Sequence, residues 1–128
     1  MKEFVATKNA PAAIGTYSQA VAHNGTLYIS GQIPLDPDTM EVVSADIATQ
    51  VSQVFTNLTA ICDAANASLN DVIKFTVFLT DLGDFSLVNE TMQALLDKPY
   101  PARAVIEVSA LPKGVNVEID AVVALAEA

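Results

Sequence analysis

Arg103 is the only arginine in the chain, standing among five lysines and fifteen acidic residues. It heads the apolar run of "YPARAVIEV". A guanidinium stays charged and presents a planar fork that pairs bidentately with a carboxylate. For a generic surface charge this chain uses lysine, so the arginine points to a carboxylate clamp. A structural ion pair is the competing reading. Glu118 interrupts a strand pattern that is otherwise nearly apolar. A carboxylate on a partly buried sheet face gains a raised pKa and can serve as a general acid or base; a solvated face shared with Asn116 and Asp120 is the alternative. Asn89 falls on the apolar side of its helix, four residues after Phe85 and three before Met92, and a buried amide must find partners. Tyr17 in "AIGTYSQAV" and the pair Ser30 and Gly31 in "YISGQIP" put polar handles beside turns, where backbone N–H groups become accessible.

Other polar residues read as bland. Cys62 sits on or beside a helical apolar stripe and reads as a small core residue. His23 in "AHNGT" falls in a hairpin turn. One cysteine and one histidine cannot build a standard zinc site, and one cysteine excludes an intrachain disulfide. The sequence carries no Gly-rich phosphate loop, Ser/His/Asp set or nucleophile elbow.

The elements that must position these residues follow from periodicity. "GTLYISG" alternates Leu27 and Ile29 against Tyr28 and Ser30, a strand. "IPLDPDTMEV" is rich in turn residues. Ile47, Val51, Val54, Leu58, Ile61 and Ala65 recur at helical spacing, with Ser44 as expected N-cap and Asp46 in the first turn. "DVIKFTVFLTD" reads as a central strand, apolar on both faces except at Lys74. A second helix begins at an Asp84 cap, with Phe85, Val88, Met92, Leu95 and Leu96 as its stripe, and "KPYP" ends it. Strands from Arg103 to Ser109 and from Val115 to Leu125 close the chain. In the last, Val115, Val117, Ile119, Ala121, Val123 and Leu125 share one face; Asn116, Glu118, Asp120 and Val122 share the other.

This pattern predicts an α+β layer, one domain over residues 1–128, with two helices packed on one face of a mixed sheet. The other face is expected to keep Phe78, Val105 and Val122, and so to self-associate. A net charge of −9 argues against nucleic-acid binding. No run approaches a membrane span, and "MKEFVATKNAP" shows no targeting pattern. A reducing, cytoplasmic location is expected.

Four ordered stretches, "NAPAAIGTYSQAV", "YISGQIPLDP", "FLTDLGDFSLVNE" and "PARAVIEVSALPKGVNVEIDAVV", resemble the signature segments of the Rid (YjgF) reactive-intermediate deaminases. They cover Lys8 to Leu125. The resemblance implies a chorismate-mutase-like fold, a homotrimer, and active sites in clefts between subunits. It implies cofactor-free hydrolysis of small 2-imino acids, such as 2-iminobutanoate and 2-iminopropanoate, to 2-oxo acids and ammonia. Such imines come from pyridoxal-phosphate enzymes such as threonine dehydratase, and the family protects other enzymes from them. It places the substrate-carboxylate arginine on Arg103 and the water-positioning acid on Glu118. Tyr17, Ser30, Gly31 and Asn89 fall on the family's pocket positions. Three features depart from the family pattern. Thr16 stands where many members have proline. Val105 replaces a common cysteine while keeping the backbone carbonyl through which that residue would contribute. The segment between Asn89 and Pro101 is short and poor in aromatics. The rival reading is a non-catalytic trimer that binds 2-oxo acids or regulates, although pure carboxylate binding has no need of Glu118. An RNA-cleaving or translation-inhibiting role, proposed for relatives, is opposed by the acidic charge.

Overall fold

The computed structural model describes residues 1–126. Strands β1 (Glu3–Val5), β2 (Ala20–His23), β3 (Thr26–Gln32), β4 (Val72–Leu79), β5 (Ala102–Glu107) and β6 (Val117–Ala124) form one mixed sheet in the order β1-β2-β3-β6-β4-β5. Helices α1 (Ile47–Ala64) and α2 (Phe85–Leu95) complete the α+β architecture. All neighbours are antiparallel except β4 and β5, which run parallel and are joined through α2. β2 and β3 turn over at Asn24 and Gly25, both with positive φ (51° and 77°), as a two-residue hairpin turn requires.

Period-two alternation decides what each strand buries. Leu27, Ile29, Phe75, Val77, Leu79, Val117, Ile119, Ala121 and Val123 point to one side and meet Val51, Val54, Phe55, Leu58 and Ile61 of α1. The Phe55 and Phe75 rings meet edge to face, with centroids 5.8 Å apart. Each large apolar side chain buried here contributes about 1.5–3 kcal/mol relative to exposure.

Three local expectations are corrected. The cap of α1 is Asp46, whose carboxylate accepts from Thr49 N (3.0 Å) and Thr49 Oγ1 (2.8 Å); Ser44 stands one step earlier, its Oγ accepting from Asp46 N. Val105 does not belong to the bare face. Parallel register pairs it with Val77 and pairs Arg103 with Phe75, so both side chains follow the helix-covered side. On α2, Val88, Met92 and Leu96 are buried as the stripe predicts, but Phe85 and Leu95 stay exposed.

The bare face is apolar all the same. Register aligns Phe4, Val21, Tyr28 and Val122 in one row across β1, β2, β3 and β6. Phe4 is 67% exposed and Tyr28 53%. A second row runs Ile106, Phe78, Glu118 across β5, β4 and β6.

Candidate functional site

The sequence-predicted residues separate into two groups on opposite faces of the sheet. Arg103 lies in the core-side row that continues through Phe75, Ala121 and Ile29. Because β5 is the edge strand, the side chain escapes the core and reaches α2. Nη1 donates to Asn89 Oδ1 at 2.9 Å and lies 3.7 Å from Met92 Sδ. The guanidinium carbon stands 5.1 Å from the centre of the Phe85 ring, a cation–π contact. Every partner the structure gives Arg103 is neutral, and the bonds all leave from Nη1. The Nε/Nη2 edge, one of those through which a guanidinium can bind a carboxylate bidentately, is not used by them. A cavity of about 270 Å³ opens here, lined by Asn89, Met92, Gln93, Leu96, Tyr100 and Arg103 among others.

Glu118 belongs to the bare face. Along β3, Ile29 pairs with Ala121 and Gln32 with Ile119, so Ser30 and Gly31 form a bulge beside Glu118. A Cβ built on Gly31 would stand 2.9 Å from the Glu118 carboxyl carbon and closer still to Oε2. Glycine lets the Glu118 carboxylate lie this close; its φ is ordinary, so the constraint is the approach of that side chain and not the backbone angle. Ser30 ties the bulge down: its Oγ donates to Ser18 O (2.6 Å) and its N to Gln19 O (3.0 Å). Glu118 is half-buried, and burial pushes its carboxyl pKa above the usual range, with the charge of Asp120 adding to the effect. A cavity of about 480 Å³ adjoins it, whose wall includes Tyr17, Ser30, Gly31, Ile33, Met40 and Glu118.

The structure therefore brings Tyr17, Ser30, Gly31 and Glu118 together, and separately Arg103 and Asn89. It does not bring the two groups together within one chain. From β5 to β6 is two strand spacings, about 10 Å, and the offset along the strands is about 10 Å more, with the sheet between. Val105 lies on the Arg103 side, two residues beyond it along β5.

Sequence reading missed several residues that build the site. Phe85 was assigned to the core stripe, yet its ring carries Arg103. Gln19 is buried: its Oε1 accepts from Thr7 N and its Nε2 donates to the Ala10 and Pro11 carbonyls, anchoring the loop that carries Tyr17. Gln50, also buried, accepts from Asn116 N and donates to Ser44 O, which fixes the start of β6. Neither amide has a periodic signature; only its position inside an apolar pattern hints at it. Cys62 is a core residue as expected, its thiol pushed up to about 11 chiefly by burial. His23 lies at the exposed hairpin turn. Among the described residues no group of His, Cys, Asp and Glu could hold a metal ion, and no helix is long and apolar enough to cross a membrane. Larger hollows of about 590 and 740 Å³ lie elsewhere and contain none of the predicted site residues.

Comparison with known proteins places the chain firmly. The family model described as Endoribonuclease L-PSP matches residues 7–125. A RutC family protein of Pyrococcus horikoshii is 51% identical over 95% of this chain and 97% of its own length. The human 2-iminobutanoate/2-iminopropanoate deaminase is 43% identical over 95% of this chain and 89% of its own. The crystal structure of RidA from the Antarctic bacterium Psychrobacter superposes with a TM-score of 0.92 at 54% identity, covering 96% of this chain and 99% of that one.

Proposed function

The chain belongs to the Rid (YjgF) family, matched through the Endoribonuclease L-PSP model over residues 7–125, and from that premise we propose that it is an imine deaminase. It takes small 2-imino acids, 2-iminobutanoate and 2-iminopropanoate among them, to 2-oxo acids and ammonia in the cytoplasm. In doing so it disposes of reactive products of pyridoxal-phosphate enzymes. The name of the human relative supports the reaction class.

One observation carries the reading at the level of residues. Arg103 has a carboxylate-gripping edge that its neutral partners leave unused, and it faces away from the half-buried Glu118. Each half has what the other lacks. A second copy that docks its Arg103 edge against the Glu118 cavity completes the set, and the apolar bare face supplies the means of association. The assembly is a homotrimer with its sites in the clefts between subunits.

In such a cleft Arg103 holds the substrate carboxylate and so places the imine carbon. Glu118, ionised, accepts a proton from water as the water oxygen bonds to that carbon. The proton passes to the imine nitrogen, giving a carbinolamine. Glu118 then carries the hydroxyl proton to the amine nitrogen, the C–N bond breaks as the C=O bond forms, and ammonia departs, leaving the 2-oxo acid. The side chains of Tyr17, Ser30 and Asn89 and the backbone at Gly31 and Val105 line or brace the cleft. No step calls for a cofactor. A net charge of −9 opposes an RNA substrate.

The test generates 2-iminobutanoate in situ and follows 2-oxobutanoate, with and without the protein. It then repeats the assay with Arg103→Ala and Glu118→Gln, each alone and after the two are co-refolded. Clefts shared between subunits predict two inactive variants whose random mixture regains about a quarter of wild-type turnover. Inactivity of the mixture would place both residues in one subunit's site, and inactivity of the wild type would end the deaminase reading.

A further inference from the structure

Among the described residues four that are not glycine carry positive φ: Asn24 (51°), Met40 (60°), Asn66 (58°) and Lys113 (57°). Asparagine accepts this conformation readily; methionine and lysine do not. The two costly cases, Met40 and Lys113, both line the Glu118 cavity.

Met40 shows its position most clearly. It closes the turn after β3: Met40 N donates to Asp36 O (2.7 Å), Asp36 N donates to Glu41 O (2.9 Å), and Asp36 Oδ1 accepts from Asp38 N and Thr39 N. Turns that finish on a left-handed residue normally finish on glycine or asparagine, which avoid the conformational cost. Here the position holds a half-buried methionine whose side chain joins Ile14, Ile33 and Leu35 in the apolar wall beside Glu118. Backbone strain of this kind persists where the surroundings hold it, and it gathers at ligand-binding sites.

We propose that Met40 determines side-chain specificity. It forms an apolar subsite that takes the aliphatic or thioether chain of a 2-imino acid. The inference rests on the deaminase reading. With the carboxylate on Arg103 and water delivered by Glu118, the third substituent of the imine carbon is left to meet this wall. An unbranched thioether adapts to chains of differing shape. The subsite favours imines of leucine or methionine type over 2-iminopropanoate, and it rejects chains ending in a carboxylate, which Glu118 repels.

The experiment compares kcat/KM for imines made in situ from leucine, methionine and alanine. The proteins are wild type, Met40→Gly and Met40→Asn. Glycine and asparagine both suit the backbone, so folding is preserved, and melting temperatures check it. The expected result is a fall of about 10-fold in the ratio of long-chain to alanine-derived imine in both variants, the scale of one or two apolar contacts in a pocket. Equal losses on all three imines, or no change in the ratio, overturn the proposal. The affinities of 4-methyl-2-oxopentanoate and pyruvate, measured by calorimetry, give the same ratio without turnover. If wild type hydrolyses none of the imines, the deaminase reading fails, and this binding ratio alone decides whether Met40 selects side chains.

Discussion

Around Arg103 the chain supplies neutral partners and open solvent, whereas around Glu118 it supplies apolar walls, a glycine at close approach and a second acid. The cation is held by Asn89 and the Phe85 ring on an edge strand. The carboxylate is half-buried on an interior strand, its pKa raised by that burial. Each environment suits one task. A guanidinium stays ionised almost anywhere, so its site needs orientation and an unused edge. A carboxylate that must take a proton gains basicity from losing water, so its site needs desolvation. On the deaminase reading proposed above, the chain meets both demands by using opposite faces of one sheet.

The largest test of this contrast is Arg103. If it only made an exposed ion pair, Arg103→Lys would be nearly silent, at roughly 0–1 kcal/mol. As a clamp it loses about 2–5 kcal/mol on truncation, on the order of 30- to several-thousand-fold in affinity. Arg103→Ala should therefore abolish measurable hydrolysis and 2-oxobutanoate binding with the melting temperature little changed, and Arg103→Lys should be intermediate. Retained turnover in Arg103→Ala, or its loss through unfolding, would break the comparison at the Arg103 side.

On the Glu118 side, Gly31→Ala is expected to reduce turnover by about 10²-fold, the scale of a misplaced catalytic group. The added Cβ meets the movable end of Glu118, 2.9 Å from its carboxyl carbon, so the carboxylate shifts while the fold holds. Comparable loss in turnover and in melting temperature would mean that the bulge is structural only. A smaller effect belongs to Asn89→Ala. Removing one acceptor from Arg103 should raise KM by about threefold to tenfold and leave kcat nearly unchanged, since the hydrogen bond is exposed and the charge persists.

Legibility in the sequence follows the same divide. β4 was readable as a continuous apolar run and β6 because alternation over eight residues is a strong signal, and Glu118 stands out where that alternation meets a charge. The spacing that put Asn89 with Phe85 and Met92 on one helical face proved to be the spacing that gathers all three on Arg103. β1 and β2 were not readable: strands of three and four residues carry too little pattern. Val105 was placed on the wrong face because the parallel register of β4 and β5 is set by the crossover through α2, which no local pattern records. Met40 and Lys113 were missed because a backbone angle leaves no trace in residue type unless glycine or asparagine occupies it.

The smallest expected effect concerns the stability cost of Glu118. Burial first, and Asp120 second, raise its pKa in the folded chain. The folded state then binds this proton more tightly than the unfolded state. The stabilisation that results is present in full below the ordinary glutamate pKa and is lost as pH rises through the raised value. At neutral pH the ionised carboxylate is thus a net cost to folding, while the same ionisation is what the proposed reaction asks of its base. Activity and this part of stability should run in opposite directions across one pH window. Glu118→Gln removes both: turnover falls by about 10²–10⁴-fold, while the melting temperature at neutral pH rises by roughly a few degrees. The difference in melting temperature between wild type and Glu118→Gln should shrink as pH falls towards the ordinary glutamate range. Asp120→Asn should shrink it at neutral pH as well, by removing the second cause. Calorimetric scans across that range decide the matter. A pH-independent difference would mean that Glu118 is solvated in the assembled protein, and the contrast between an open clamp and a desolvated base would fail at its second term.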